Sequence, residues 1–275
     1  MSWREYQARQ RVIELDDQFV SYLDEGAGDC VVLLHGIPTW GYLWHGLVPT
    51  LARTHRVLVP DLLGFGYSDK ADCFGRSIAR QADWIDAWLG RLRIDRAAIV
   101  GHDIGGGVAL RLATLHAGRV ARLCVMNSVC YDSWPIELML QFGHPGADRL
   151  MTASAAVKTL KTALRQGFAT SPPDGLLDGL LAPYTTEAGK LSLIRDAAAL
   201  DTNLTAEITP LLPRVAAPTM ILWGEDDPWQ PLAYGERLAR DIPGARLEII
   251  GKARHFVMID REEDVARYLD GFLGS

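Results

Sequence analysis

Residues 97–115 read AAIVGHDIGGGVALRLATL, a short apolar run followed by a glycine-rich turn and a second apolar stretch. The run from Ala97 to Val100 predicts a buried strand. Residues 104–117 carry the apolar spacing of a helix. This order predicts one strand–turn–helix unit, the building block of a parallel sheet with helices packed against it.

The same alternation of strand and helix patterns extends on both sides of this unit. Strands are predicted at 11–16, 18–23, 31–34, 56–60, 97–100, 123–126, 219–223 and 246–250. Further helices are predicted from Leu43 to Leu51, from about Ser77 to Leu89, near 232–240 and near 262–272. We therefore expect an α/β protein with a mostly parallel central sheet flanked by helices, which opens with a hairpin that turns at Asp16-Asp17.

Residues 130–213 interrupt the alternation, because they contain only helical patterns and chain breakers. This stretch follows the sixth predicted strand. In sheets of this kind, ligands bind at the carboxyl ends of the strands. We therefore predict a helical cap over that edge, inserted into a core domain formed by residues 1–129 and 214–275.

Composition narrows the class of protein. The chain has 275 residues, with 28 Lys and Arg against 34 Asp and Glu, so its net charge is −6. This charge argues against nucleic-acid binding, which needs a basic surface. No apolar run approaches the length of a membrane span, and the start, MSWREYQARQR, lacks an apolar signal core. We expect a cytoplasmic monomer or homodimer with reduced thiols and no structural zinc at its four cysteines, Cys30, Cys73, Cys124 and Cys130.

The turn in the opening stretch has the spacing Gly101-x-Asp103-x-Gly105. Small residues on both sides let a strand and a helix approach closely, as in the strained turn that exposes a nucleophile above a sheet edge. The start of a helix also favours a negative charge. A simpler interpretation is that Asp103 only caps the helix. No Lys-Ser/Thr pair follows, so the turn is not a phosphate-binding loop.

Three other loops add polar groups at the same predicted edge. The segment His35-Gly36-Ile37-Pro38 follows the third strand, so the backbone N–H groups of Ile37 and Ile104 could form an oxyanion hole. We interpret His35 as a structural residue that braces this loop. Asp227 and His255 directly follow the last two strands. The order Asp103, Asp227, His255 predicts a nucleophile, an acid and a base, with Asp226 as the alternative acid.

Together, these motifs resemble those of a known superfamily. The chain resembles the α/β-hydrolase superfamily over nearly its whole length, and residues 35–70 with GHDIGG resemble haloalkane dehalogenases and, slightly less, epoxide hydrolases. Both groups use an aspartate nucleophile, and neither needs a metal or an organic cofactor. The resemblance implies that Asp103 forms an alkyl ester with a small, uncharged organic substrate and that water, activated by His255, hydrolyses it.

The chain departs from both groups where the leaving group binds. Haloalkane dehalogenases typically have Asn at the position of Ile37 and Trp at that of Ile104, and both side chains donate to the halide. Isoleucine cannot donate. Candidate replacements that could contact the substrate or leaving group are Trp40, Trp134 and Trp229. Epoxide hydrolases use tyrosines of the cap, for which the candidates are Tyr131 and Tyr184, with His144 as another donor.

Two other classes of function remain open from the sequence. One is an ester, lactone or C–C bond hydrolase of the same fold, in which Asp103 replaces a serine. The other is a non-catalytic protein that uses the fold to bind a ligand. The presence of Asp103, Asp227 and His255 together favours an enzyme.

Overall fold

The computed structural model describes residues 1–274, which form an eight-stranded sheet with helices on both faces. The strands are β1 (Arg11–Leu15), β2 (Gln18–Glu25), β3 (Cys30–Leu34), β4 (Arg56–Pro60), β5 (Ala97–Asp103), β6 (Val120–Ser128), β7 (Thr219–Gly224) and β8 (Arg246–Ile250). All eight predicted strands are confirmed, and most extend by one to three residues beyond the prediction.

The strand order across the sheet is β1-β2-β4-β3-β5-β6-β7-β8. β1 pairs with β2 and β2 with β4 in antiparallel register, and every other neighbouring pair is parallel. The opening hairpin turns at Asp16 and Asp17, whose φ angles of 51° and 61° suit the tight turn that matches the twist of two strands. The fold is therefore the predicted α/β-hydrolase arrangement.

The helices of the chain are α1 (Trp3–Arg9), α2 (Val48–Leu51), α3 (Ile78–Arg91), α4 (Ile104–Leu115), α5 (Glu137–Gly143), α6 (Ala147–Leu150), α7 (Ala153–Leu164), α8 (Leu176–Leu181), α9 (Glu187–Ala198), α10 (Asn203–Ala206), α11 (Leu232–Asp241), α12 (Val257–Asp260) and α13 (Glu262–Leu273). α3 begins where predicted, because the Ser77 side chain accepts a hydrogen bond from the Arg80 N–H and caps the helix. No helix within residues 1–274 is long and apolar enough to cross a membrane.

The predicted continuous helix from Leu43 to Leu51 is wrong. The chain forms a short 3₁₀ turn at Gly41–Trp44 and then the one-turn helix α2. Pro49 has no backbone N–H, so it fits the first turn of α2 but not the interior of a longer helix. The three leucines of the pattern are nevertheless buried in the core, which shows that the periodicity identified the buried face correctly.

The core consists of two layers, one on each face of the sheet. Alternate residues of each strand face opposite layers, as Val31 and Val32 do. α3, α4 and α11 cover one face. α1, α2, α12 and α13 cover the other, where the same apolar cluster continues into the helices between β6 and β7. The sheet is thus buried on both sides, and its strand ends are the part open to a ligand.

Only helices and turns lie between β6 and β7. Leu160 and Leu164 of α7 share one buried face, as their spacing predicts. α9 is capped by Thr186, whose side chain accepts from the Gly189 N–H. The division into a core of residues 1–129 and 214–275 and a cap of residues 130–213 stays a prediction.

Candidate active site

Asp103 occupies the sharp turn between β5 and α4. Its φ of +54° is rare for a residue with a side chain and places it in a strained region of backbone conformation. Gly101 allows this turn, because a Cβ atom there would lie 2.2 Å from the carbonyl oxygen of Gly105. The Asp103 carboxylate makes no capping bond to α4. The simpler interpretation of Asp103 as a helix cap is therefore wrong.

The Asp103 carboxylate instead receives the backbone N–H group of Ile37, from the loop after β3, and that of its own neighbour Ile104. The Ile37 N–H donates to Oδ1 over 2.9 Å, and the Ile104 N–H also donates to this carboxylate. Gly36 makes room for it, since a Cβ atom there would lie 2.5 Å from the Asp103 Cβ. Both N–H groups thus bond the carboxylate of Asp103, and their role as an oxyanion hole stays a prediction.

His255 lies between the two aspartates. Its Nδ1 is 2.8 Å from Oδ2 of Asp227, and its Nε2 is 3.8 Å from Oδ2 of Asp103. The two aspartates are 8% exposed and the histidine 3%, so water screens these contacts little. Asp226 is exposed, and Asp227 is the acid that contacts His255.

Burial and charge act in opposite directions on these groups. Burial raises the pKa of Asp103, and although His255 and the N–H groups of Ile104 and Ile37 oppose this, the pKa stays above its ordinary 3.8. Burial disfavours the charged imidazole of His255. The carboxylates of Asp227 and Asp103 outweigh that effect, so the pKa of His255 lies above its ordinary 6.5.

Asp227 is held by four hydrogen bonds. Its Oδ1 accepts from the backbone N–H groups of Trp229 and Gln230, over 2.8 and 3.1 Å. Its Oδ2 accepts from His255 and from Nδ2 of Asn127, the latter over 2.6 Å. The sequence predicts no role for Asn127. The available signal is its place at the end of β6, beside β7, where it can reach the loop that carries the acid.

Two further histidines brace the site. The Nε2 atom of His35 accepts from the Leu62 N–H and its Nδ1 donates to the Gly36 carbonyl, which confirms the structural role predicted for it. Burial lowers the pKa of His35 to about 4. The Nε2 atom of His102 lies 3.0 Å from the backbone carbonyl of His255, so His102 supports the segment that carries His255.

A cavity of about 460 Å³, which includes its opening to solvent, adjoins Asp103 and His255. The rest of its wall is mostly apolar and comes from the strand-end loops, α5, α7 and the segments beside them. The wall residues are Ile37, Pro38, Ile104, Val129, Trp134, Pro135, Ile136, Leu138, Met139, Leu164, Leu200, Trp229 and Gln230. A wall of this kind suits a small ligand with few polar groups.

Two of the six predicted contact residues line this cavity. The Trp134 Nε1–H is already used, because it donates to Oγ1 of Thr205 over 2.7 Å. The Trp229 ring stands edge-on to the His255 ring, with 4.9 Å between the centroids. Gln230, for which the sequence predicts no role, lines the cavity beside Trp229.

The structure places the other four outside the cavity. Trp40 donates from Nε1 to the Gly179 carbonyl within the core, and the Tyr184 hydroxyl faces the Thr39 carbonyl. Tyr131 donates to a carboxylate oxygen of Asp241. His144 lies on a surface groove beside Leu140 and Leu150. Their polar groups thus point to other partners or to solvent, which composition and helical spacing do not reveal.

The part of the chain from residue 1 to residue 274 holds no group of three or more His, Cys, Asp or Glu side chains arranged to bind a metal ion. All four cysteines are free thiols. The polar side chains that line this cavity are those of Asp103, His255, Gln230, Trp134 and Trp229.

Comparison with known proteins supports the fold. Residues 29–262 match the model of the family described as alpha/beta hydrolase fold. The chain is 31% identical to a haloalkane dehalogenase of Mycobacterium marinum over 262 residues, which cover 89% of this chain and 85% of that protein.

Two further similarities extend over almost the whole chain. A cis-3-alkyl-4-alkyloxetan-2-one decarboxylase of Shewanella oneidensis is 26% identical, over 92% of this chain and 84% of that protein. The crystal structure of an alpha/beta hydrolase fold protein from Burkholderia ambifaria superposes with a TM-score of 0.89 at 29% identity, over 94% of this chain and 96% of that one. This chain therefore belongs to the α/β hydrolase fold family and is an enzyme of that fold that resembles the haloalkane dehalogenases.

Proposed function

We propose that this enzyme hydrolyses a small, uncharged substrate through an alkyl ester on Asp103. The main support for this proposal comes from the different contacts that the two oxygens of this carboxylate make. Its Oδ1 accepts the Ile37 N–H, while its Oδ2 faces His255 at 3.8 Å. One oxygen is thus held by backbone N–H groups, and the other is left to attack.

The first half of the reaction is a displacement at an sp³ carbon. Oδ2 of Asp103 forms a bond to that carbon, and the bond from carbon to the leaving group breaks with its electron pair going to the leaving group. The product is an ordinary alkyl ester. Attack on an ester carbonyl would instead give an anhydride, which is more reactive than the substrate, so an aspartate nucleophile favours a carbon–halogen bond or a strained carbon–oxygen ring.

The second half is hydrolysis of this ester. His255 takes a proton at Nε2 from a water molecule, and the resulting hydroxide attacks Cγ of Asp103. Negative charge then develops on Oδ1, where the N–H groups of Ile37 and Ile104 stabilise it. The bond between Cγ and Oδ2 breaks, the alcohol leaves with Oδ2 and the proton from His255, and the new carboxyl group of Asp103 releases the remaining proton of the water to solvent, which restores the carboxylate.

Substrate class follows from the cavity wall and from the names of relatives. The apolar wall favours a neutral organic molecule over a charged one. The two curated relatives are named for a haloalkane and for a four-membered lactone ring. Both of these names, like an epoxide, describe an sp³ carbon that carries a leaving group, which is the kind of centre that Asp103 is expected to attack.

The test is the intact mass of a His255→Ala variant after exposure to haloalkanes, terminal epoxides and cis-dialkyl oxetanones. Without the base, the ester should persist. A haloalkane should add its alkyl group without the halogen, whereas an epoxide or an oxetanone should add its full mass. The adduct should map to the peptide that contains Asp103.

The matched control is the double variant His255→Ala/Asp103→Asn, which keeps the shape of the site but lacks the nucleophile. It should form no adduct. An adduct in this control at the same rate, or no adduct with any member of the panel in His255→Ala, contradicts the proposal. In that case the ester, lactone or C–C hydrolase and the ligand-binding alternatives take precedence, and hydrolysis of aryl and lactone esters by Asp103→Ser separates these two.

A further inference from the structure

We infer that the side-chain amide of Gln230 donates a hydrogen bond to the group that leaves when Asp103 attacks, an inference that rests on the function proposed above. Gln230 is only 1% exposed, and its side chain lines the same cavity as Asp103. The donor atom of its amide, Nε2, makes no hydrogen bond within residues 1–274, and the acceptor Oε1 is buried and also unpaired. Buried amides are normally paired, so an Nε2–H group without a partner on a cavity wall points to an acceptor supplied by the ligand.

The backbone of Gln230 is fixed, which gives its side chain a defined place. Its N–H donates to Oδ1 of Asp227 over 3.1 Å, and its carbonyl accepts from Nε1 of Trp223 over 2.8 Å. Asp227 in turn contacts His255. The residue therefore belongs to the same rigid turn as the candidate acid, and its amide can be aimed without reordering the loop.

The other donors around the cavity already have partners. The N–H groups of Ile37 and Ile104 donate to Asp103, and Nδ1 of His255 to Asp227. The indole N–H of Trp134 donates to Thr205. Among the side chains that line the cavity in the described part of the chain, this leaves the amide of Gln230 and the indole of Trp229 as donors without a partner.

A leaving group in this cavity needs such a donor. As the bond to carbon breaks, a halide or a ring oxygen gains negative charge beside an apolar wall, where water stabilises it poorly. Ile37 and Ile104 have no side-chain donor to offer. An amide N–H that has no partner within the protein can stabilise this charge without first breaking another hydrogen bond. Gln230 thus supplies the hydrogen-bond donor that the side chains of Ile37 and Ile104 lack.

The experiment measures the rate of adduct formation in the His255→Ala background, with and without Gln230→Leu. The substrates are one alkyl chain with chloride, bromide or iodide as the leaving group, and the matching terminal epoxide. Loss of the donor should slow the reaction of the chloride by about 10- to 100-fold and that of the iodide less, because iodide accepts hydrogen bonds weakly. A slower epoxide reaction identifies ring oxygen as an acceptor, and an effect confined to the halides identifies halide.

Gln230→Met, which keeps the length of the side chain, is the second variant and should behave like Gln230→Leu. Gln141→Leu is the matched control, since this glutamine is exposed on α5 and donates to Glu137 outside the cavity, and it should leave the dependence on the leaving group unchanged. Trp229→Phe tests the competing donor. The inference is overturned if Gln230→Leu and Gln230→Met leave the rates unchanged or slow all leaving groups equally, or if Trp229→Phe alone produces the graded effect.

The two levels of proposal fail in different ways. Adduct formation in His255→Ala that does not depend on Gln230 leaves the proposed function standing and removes this inference. No adduct in His255→Ala, with Gln230 intact, removes both.

Discussion

The side-chain amide of Asn127 donates a 2.6 Å hydrogen bond to Oδ2 of Asp227. The same amide accepts the Gly224 N–H at its Oδ1 over 3.1 Å, so Asn127 joins the end of β6 to the end of β7. Asn127 is fully buried, where hydrogen bonds are stronger than in water. The candidate acid is therefore oriented by the sheet as well as by its own loop.

Replacing Asn127 with Ala should slow ester hydrolysis more than ester formation. Removal of the amide leaves Asp227 with one bond fewer and frees it to turn away from His255, which then activates water less well. We expect a decrease of about 10- to 100-fold in the hydrolysis step, with the adduct accumulating in a protein that retains His255. Rapid-quench mass spectrometry measures the two steps separately.

The matched control for this change is Asn203→Ala, at an exposed position of α10. It should leave both steps unchanged. If Asn127→Ala slowed both steps equally, or slowed neither of them, the hydrogen bond from Asn127 to Asp227 would not act through His255.

The two halves of the reaction should respond to pH at different points. Asp103 must be ionised to attack, and burial raises its pKa above 3.8. His255 must be neutral to activate water, and despite burial its carboxylate neighbours raise its pKa above 6.5. Both rates should therefore rise with pH, adduct formation from an acidic midpoint and ester hydrolysis from a higher one, because Asp227 favours the protonated form of His255.

Single-turnover rates of each half, measured from about pH 4 to about pH 9, check this order. Adduct formation is followed in His255→Ala, where the imidazole cannot contribute to the profile. A hydrolysis rate that falls as the pH rises through neutrality would contradict the assignment of His255 as the base.

Sequence patterns predicted the sheet, and they indicated three residues that the structure brings together, because both depend on short local signals. The turn at Asp103 needs small neighbours at Gly101 and Gly105, and this requirement is visible as spacing. Asp227 and His255 each directly follow a strand, and parallel strands bring their ends to one edge of the sheet.

The contacts of the cavity wall could not be predicted in the same way. Whether Tyr131 faces the cavity depends on Asp241, a residue 110 positions away in the chain. Trp134 does line the cavity, but its indole N–H already donates a hydrogen bond to Thr205 of α10. No periodic pattern in the sequence marks Gln230, because what distinguishes it is a side-chain amide without a hydrogen-bond partner. Such features depend on tertiary packing, which local patterns do not encode.

Gly36→Ala should reduce adduct formation, and the overlap should lower the free energy of unfolding by about 1–3 kcal/mol. The new methyl group would lie 2.6 Å from Oδ1 of Asp103, so the carboxylate must shift from the Ile37 N–H. Displacement of a reacting atom by a fraction of an ångström to one ångström costs about 10- to 100-fold in rate. Gly118→Ala is the control, because a Cβ atom there meets nothing within 4 Å. Wild-type rates of adduct formation in Gly36→Ala would show that the carboxylate tolerates this shift.

A buried ion pair joins α9 to the loop before α3. Nη1 of Arg76 is 2.6 Å from Oδ1 of Asp196, and the two side chains are 6% and 0% exposed. The same guanidinium nitrogen donates to Oγ of Ser192, whose hydroxyl donates to the Gly64 carbonyl. The helices between β6 and β7 are thus connected to the sheet domain by charge as well as by apolar packing.

Replacing Asp196 with Ala should lower the free energy of unfolding by about 3–5 kcal/mol, because it leaves a guanidinium buried without its counter-charge. The double variant Arg76→Met/Asp196→Leu should recover most of this loss, since a buried pair of apolar side chains needs no compensation. Asp83→Ala removes the exposed partner of Arg80 and should cost at most about 1 kcal/mol. Urea denaturation measures all three. A cost of Asp196→Ala no larger than that of Asp83→Ala would show that water reaches Arg76 and that the pair does not hold α9 to the sheet domain.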